Sequence, residues 1–260
     1  MSAILLEQDI VHYEVLGRGR PLVFLHGWVG SWRYWIPVMQ AASISFRAYA
    51  LDLWGFGDSA KKPERYSLDQ QIYLLDGFLD SLGIGRVALV GHGLGAMVAL
   101  QYALLHPDIV DRVMAVSYPL EESMVNNRLR NGPPADLADW LLTRTPLTEP
   151  VKADASKTDQ QAVQTSLNHL GGMQNIFQQM STACVLVNGQ NDPAIVQPRL
   201  DQIALLPEFT QAIIFEQSGH FPMLDESNKF NRLMGDFLAL PSGESPRQLS
   251  LKEEWKRRVR

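Results

Sequence analysis

Residues 90–96 read Val-Gly-His-Gly-Leu-Gly-Ala and mark a sharp change of local structure. An apolar, strand-like run precedes them, and a helix-like pattern from Ala96 to Leu105 follows. Glycine occupies residues 91, 93 and 95, between the strand-like run and the helix-like run. The stretch looks like a nucleophile site, but residue 93 is glycine and has no side chain that could react.

Short apolar runs alternate with helical patterns along most of the chain. A capping box at Ser67 predicts a helix that ends near Leu82, and another helical pattern covers residues 226–240. This alternation predicts an α/β fold with a mostly parallel eight-stranded sheet and helices on both faces, its first two strands lying at an edge. The strand-like segments are residues 3–6, 11–16, 21–25, 46–51, 87–90, 113–116, 184–187 and 212–215.

Composition excludes several function classes. The 260 residues carry a net charge of -5, which gives no basic surface for nucleic acid, so we expect no nucleic-acid partner. The N-terminus does not resemble a signal peptide, and no apolar run is long enough to span a membrane. We therefore expect a cytoplasmic protein without a membrane span. The single cysteine, Cys184, lies in an apolar run and is expected to be a buried, unreactive thiol.

The alternation breaks between about residues 120 and 171, where the chain is polar and rich in proline. A structureless loop of this length is uncommon in a compact domain, so we predict a small helical lid over the carboxyl edge of the sheet. The predicted division is a core of residues 1–120 and 171–240, a lid insertion of residues 121–170, and a basic tail of residues 241–260.

The tail differs in charge from the rest of the chain. Residues 247–260 contain six basic and two acidic side chains. Leu251, Trp255 and Val259 recur every fourth residue and would share one helical face. We expect a short helix that packs on its own domain, with a docking site for an acidic partner or membrane surface as the alternative.

Four motifs occur in an order that resembles the α/β-hydrolase superfamily, over roughly residues 10–240, as a single domain with a lid. Any one of them would be weak evidence, whereas their order along the chain is specific. They are His26-Gly27-Trp28, Asp52 to Gly57, Gly91 to Gly95, and Gly189 to Pro193 followed by Ser218 to Pro222.

The resemblance implies roles for five positions. Asp192 and His220 fall where the family places its acid and its base, so the carboxylate would orient the imidazole and His220 would move protons. The backbone N–H groups of Trp28 and Leu94 would form the oxyanion hole. The family's nucleophile position is occupied by Gly93, which cannot form a covalent intermediate.

Two serines are alternative nucleophiles. Ser117 is expected at the same edge of the sheet, and Ser31 follows the oxyanion loop closely. Neither lies on a turn that would present it to both His220 and the oxyanion donors, so neither is favoured.

Large apolar side chains predict a pocket for a small apolar or aromatic ligand. The sequence contains no metal-ligand cluster and no phosphate-binding loop, so no metal and no cofactor are expected. The expected partner is a small-molecule substrate or ligand. The predicted substrate-binding residues are Trp32, Met124, Trp140, Phe177 and Phe221.

Three interpretations of function remain open. The favoured one is a hydrolase-like or lyase-like enzyme that acts on a small ester or carbonyl compound through the His220–Asp192 dyad and the oxyanion hole, without serine. The second is a non-catalytic pseudoenzyme that binds a small ligand or partner. The third is a nucleophile-substituted variant of an ordinary Ser-His-Asp hydrolase.

Overall fold

The computed structural model of the chain describes residues 2–143, 148–168, 170 and 175–249. The strands are β1 (Ser2–Leu6), β2 (Asp9–Leu16), β3 (Arg20–Leu25), β4 (Phe46–Leu51), β5 (Val87–His92), β6 (Val110–Val116), β7 (Ala183–Gly189) and β8 (Thr210–Phe215). They form one eight-stranded sheet in the order β1-β2-β4-β3-β5-β6-β7-β8. Strand β2 runs antiparallel to both of its neighbours, and the remaining pairs are parallel.

Helices follow most of the strands, which confirms the predicted fold class. The core helices are α1 (Ile36–Ala42), α2 (Leu68–Ser81), α3 (Leu94–Leu105), α8 (Ile176–Gln179), α9 (Leu200–Ala204), α10 (Pro222–Asp225) and α11 (Ser227–Ala239). The inserted helices, all between β6 and β7, are α4 (Asn127–Asn131), α5 (Pro134–Leu141), α6 (Thr148–Ala155) and α7 (Gln160–Leu167). No helix within the described ranges is long and apolar enough to cross a membrane.

Burial explains the strand sequences. All six residues of the central strand β5 are buried, as expected for a parallel strand covered on both faces. The edge strand β1 alternates between more and less exposed residues. Of the two N-terminal strands, however, only β1 lies at an edge, because β2 pairs with both β1 and β4. The prediction that both N-terminal strands are edge strands was therefore wrong for β2, since its antiparallel pairing with β4 cannot be seen in its own sequence.

Local signals set the helix boundaries close to where the sequence predicts them. The Ser67 side chain accepts a hydrogen bond from the backbone N–H of Gln70 and caps α2. Helix α3 is buried along most of its length, and it ends at Leu105, with His106 as its C-terminal cap directly before Pro107. These two helices pack together beside the sheet.

Helices α4 to α7 are held to the core by polar contacts. The Asp154 carboxylate accepts hydrogen bonds from the Ser31 hydroxyl at 2.5 Å and from the Arg33 guanidinium at 2.8 Å. The Tyr66 hydroxyl donates to the Asp159 carboxylate at 2.7 Å. The exact division into core, lid and tail stays a prediction.

The start of the predicted tail contacts the last strand. The Arg247 guanidinium donates to the backbone carbonyl of Thr210, the first residue of β8, at 3.5 Å and to that of Leu206 at 2.7 Å. The three apolar tail residues that recur every fourth position, Leu251, Trp255 and Val259, lie outside the described residues.

Candidate active site

The turn between β5 and α3 places Gly93 in a conformation that side-chain-bearing residues rarely adopt. Its backbone angles are φ +50° and ψ −111°, and its N–H donates to the carbonyl of Val116 at 2.9 Å. A Cβ on Gly91 would overlap the carbonyl of Gly95, and a Cβ on Gly95 would overlap the carbonyl of Leu25. Both flanking glycines are therefore required by the close approach of backbone atoms.

His220 and Asp192, which lie 28 residues apart in sequence, form a buried pair. The His220 Nδ1 atom lies 2.8 Å from Asp192 Oδ2, and each side chain is 1% exposed. The other carboxylate oxygen accepts the N–H groups of Ala194 and Ile195. With Nδ1–H donating to the carboxylate, His220 Nε2 is left as an acceptor. Nε2 is buried and has no hydrogen-bond partner among the described residues, which suits a general base.

A second buried histidine, His92, joins His220 to the loop that follows β3. The Gly27 N–H donates to the Tyr34 hydroxyl at 2.6 Å, and this hydroxyl lies 2.9 Å from His92 Nδ1. His92 Nε2 lies 2.9 Å from the carbonyl of His220. Burial, with a smaller contribution from the His220 ring, holds the pKa of His92 well below its ordinary value. The neutral ring therefore accepts from Tyr34 and donates from Nε2–H to His220.

This network was only partly predictable. A packing position for His92 beneath the turn was expected from the sequence. Tyr34 was missed, because it lies outside every motif and no signal in its neighbourhood marks it as a partner of Gly27 and His92.

The loop that follows β3 is held by buried hydrogen bonds. His26 Nδ1 donates to the carbonyl of Gly27 at 2.8 Å, and His26 Nε2 accepts the N–H of Leu53 at 2.9 Å. Burial lowers the pKa of His26, which keeps this ring neutral. The N–H groups of Trp28 and Leu94 have no acceptor among the described residues. Leu94 is the first residue of α3, where N–H groups lack partners within the helix.

The Trp28 side chain lies over the turn. It is fully buried, and its Nε1–H donates to the Ser166 hydroxyl on α7 at 3.0 Å. A Cβ on Gly93 would lie only 2.8 Å from the Trp28 ring carbons Cε3 and Cζ3. The indole therefore occupies the space that a nucleophilic side chain at residue 93 would need.

The structure brings one predicted substrate-binding residue directly to the dyad. The Phe221 ring centroid lies 5.2 Å from that of His220 and 4.8 Å from that of His92. Phe177 packs edge-on against Tyr118.

The other predicted substrate-binding residues have different neighbours. Met124 is buried. The ring of Trp32 lies against His12, and that of Trp140 lies beneath the Arg128 guanidinium.

Neither alternative serine is directed at the base. The Ser117 hydroxyl donates to the backbone carbonyl of His220 at 3.0 Å, and its own φ is +49°. The Ser31 hydroxyl donates to Asp154. Both hydroxyl protons are therefore engaged away from His220 Nε2.

One cluster of possible metal ligands occurs in the described part of the chain: His12, Asp52 and Asp58. His12 Nδ1 lies 2.9 Å from Asp52, whose carboxylate also accepts the N–H groups of Trp32 and Asp58. The Ser59 hydroxyl donates to the Asp52 carbonyl. These contacts stabilise the loop after β4. Protein donors supply the hydrogen bonds that the Asp52 carboxylate accepts.

Known sequences that resemble this chain identify its family. The alpha/beta hydrolase fold family matches residues 20–182. The chain is 28% identical to "Putative carbamate hydrolase RutD" of Yersinia enterocolitica, over 94% of this chain and 97% of that protein. It is 26% identical to the 2-hydroxymuconate semialdehyde hydrolase of Pseudomonas sp. strain CF600, over 86% of this chain and 88% of that protein.

Solved structures share the fold. A serine-to-glycine mutant of the N-acyl homoserine lactonase AidH, complexed with N-hexanoyl homoserine lactone, superimposes with a TM-score of 0.80 at 19% identity, covering 91% of this chain and 96% of that one. A serine-to-alanine mutant of the meta-cleavage product hydrolase CumD from Pseudomonas fluorescens IP01 has a TM-score of 0.80 at 21% identity, covering 92% and 97%. This chain belongs to the alpha/beta hydrolase fold family.

Proposed function

We propose that this chain is an enzyme that hydrolyses a small ester or carbamate with a water molecule activated by His220, without an acyl-enzyme intermediate. The observation that carries the proposal is the buried His220–Asp192 pair. The Nε2 atom of His220 is free to accept a proton, and the turn at Gly93 has no side chain that could act as a nucleophile. Retaining the base and the acid without the serine favours direct attack by water.

In the proposed mechanism, the water oxygen forms a bond to the substrate carbonyl carbon while His220 Nε2 accepts the water proton. The negative charge on the tetrahedral intermediate is stabilised by the N–H groups of Trp28 and Leu94. Asp192 stabilises the imidazolium through Nδ1–H. When the carbon–heteroatom bond breaks, His220 returns the proton to the leaving oxygen or nitrogen.

The relatives support a small carbonyl substrate. The likeness to a protein named as a carbamate hydrolase extends over nearly the whole of both chains. The aromatic ring of Phe221 beside His220 supports an apolar contact for the substrate near the reacting group. We therefore propose Met124, Phe177 and Phe221 as the apolar lining, with Trp32 and Trp140 nearer the rim.

Two other interpretations make different predictions. A non-catalytic ligand-binding protein is the second interpretation, because residue 93 has no side chain that could form a covalent intermediate. Such a protein would bind its ligand equally well after His220→Ala. A Cβ at residue 93 would lie 2.8 Å from the Trp28 ring, so a substituted serine hydrolase would require the indole to move when the serine is present.

The test is steady-state hydrolysis of p-nitrophenyl acetate and p-nitrophenyl N-methylcarbamate. We expect His220→Gln and Asp192→Asn each to lower kcat/KM by about 100-fold or more, because general base catalysis typically contributes that much. The matched control is His106→Gln, since His106 stacks on Tyr102 away from the dyad. Equal rates for the wild type and His220→Gln would overturn the proposal, as would no turnover above background by the wild type.

A further inference from the structure

The Trp28 side chain lies between the turn at Gly93 and helix α7. The six-membered part of its ring lies over Gly93, which directly precedes Leu94, one of the two proposed oxyanion donors. The opposite side of the indole, at Nε1, reaches Ser166 on α7. We call the volume between Gly93 and Ser166 the Trp28 slot.

The polar end of the Trp28 slot accepts hydrogen bonds. The Ser166 hydroxyl is fully buried and donates its own proton to the carbonyl of Val163 at 2.9 Å. Its oxygen is therefore left to accept, and the indole N–H, which can only donate, satisfies it. Any molecule that replaces the indole must supply an N–H or O–H there, or Ser166 loses a buried partner.

We propose that Trp28 is a gate that the substrate displaces, and that the Trp28 slot selects small planar carbonyl compounds with a hydrogen-bond donor opposite the carbonyl. The proposal rests on the proposed function in that the same site takes a small carbonyl substrate. Opening the gate breaks the hydrogen bond to Ser166, so substrate binding is coupled to a helix of the inserted segment.

Other buried tryptophans do not share this arrangement. Trp35 and Trp54 are fully buried, and neither Nε1 atom has a hydrogen-bond partner among the described residues. Trp28 therefore differs from both, since its indole connects the oxyanion loop to α7 through a hydrogen bond that a ligand can take over.

The first experiment uses two ketones that cannot be hydrolysed, 3-hydroxyacetophenone and 3-methylacetophenone, titrated into the full-length protein by calorimetry. They have similar shapes, and only the hydroxyl can donate to Ser166. We expect the wild type to bind the hydroxyl compound about fivefold more tightly, a ratio that corresponds to one hydrogen bond. We expect Ser166→Ala to reduce this ratio to about one.

The second experiment follows the gate itself. In protein labelled with 5-fluorotryptophan, the ¹⁹F resonance of Trp28 is assigned from its loss in Trp28→Phe. We expect the hydroxyl ketone to shift this resonance while that of Trp54 stays in place. We expect Trp28→Phe to bind both ketones more tightly than the wild type, because its ring cannot bond to Ser166, whereas Trp54→Phe should change neither affinity.

Three outcomes would overturn the gate. In the first outcome, neither ketone binds at millimolar concentration. In the second, the wild type and Ser166→Ala prefer the hydroxyl ketone over the methyl ketone to the same degree. In the third, the Trp28 resonance does not shift in the ketone complex. If Trp28→Phe does not fold, the Ser166→Ala ratio still decides the result. The ketones are not turned over, so a failure here is distinguishable from a failure of the proposed hydrolysis.

Discussion

Gly93 and Trp28 are complementary in shape. Residue 93 has no side chain, and the Trp28 ring fills the space so closely that a Cβ there would lie 2.8 Å from two ring carbons. Real Cβ contacts are essentially never this short, and the buried indole is held in place by Ser166. The absence of a side chain at residue 93 and the position of the tryptophan are therefore one structural feature.

Gly93→Ser should destabilise the protein by about 2 to 4 kcal/mol, because the new side chain is overpacked and its φ of +50° is strained. The same substitution should cost less in a Trp28→Ala background, where the indole is absent. Urea denaturation of the four members of this double-mutant cycle measures the coupling.

Gly235→Ser provides the control for this cycle, because a Cβ at Gly235 meets no heavy atom within 4 Å. Equal costs of Gly93→Ser with and without Trp28 would show that the indole does not occupy this space.

Tyr34→Phe should lower kcat more than it raises KM. The Tyr34 hydroxyl joins the Gly27 N–H to His92 Nδ1. Loss of the hydroxyl leaves both of these buried groups without a partner and lowers stability by about 1 to 3 kcal/mol. The oxyanion loop and His220 would then be positioned less well. Tyr102→Phe also removes a buried-ring hydroxyl, which bonds to Asp76, and should leave kcat unchanged. Equal kcat values for the two variants would remove Tyr34 from the positioning network.

Ser117→Ala should retain activity within about threefold. The Ser117 hydroxyl donates to the carbonyl of His220, so its loss removes one hydrogen bond worth about 1 kcal/mol and no reacting group. The measurement is p-nitrophenyl ester hydrolysis at equal protein concentration. A loss of activity as large as that of His220→Gln would instead identify Ser117 as the nucleophile.

Stability should decrease as the pH falls below about 6.5. Burial lowers the pKa of His92 and His26 in the folded protein, so below pH 6.5 the unfolded chain binds protons that the folded protein does not. Each group contributes stability that is present above the unfolded pKa and is lost at up to about 1.4 kcal/mol per pH unit below it.

His92→Gln keeps one donor and one acceptor but cannot titrate. We expect its unfolding free energy, measured in urea at pH 7.5, 6.5 and 5.5, to fall less steeply than that of the wild type. His12 acts in the opposite direction: burial lowers its pKa, but the hydrogen bond to Asp52 and the nearby negative charges together outweigh burial and raise it. Identical slopes in the variant and the wild type would contradict the neutral state of His92.

The fold was predictable because its signals are local. Glycine spacing at Gly91 and Gly95, the capping box at Ser67 and the apolar runs each act through nearby backbone. The pairing of His220 with Asp192 followed from motif order rather than from physics alone. The positions of Tyr34 and of the Trp28 indole could not be predicted, since each depends on packing between segments far apart in sequence.

The most direct test of hydrolysis by activated water is the pre-steady-state release of p-nitrophenol from p-nitrophenyl acetate by the wild type. We predict linear release with no burst, and loss of the rate in His220→Gln, because water attacks and no acyl-enzyme accumulates. A burst equal to the enzyme concentration, with an acetyl adduct in the intact-protein mass spectrum, would show that a side chain is the nucleophile and would contradict this mechanism.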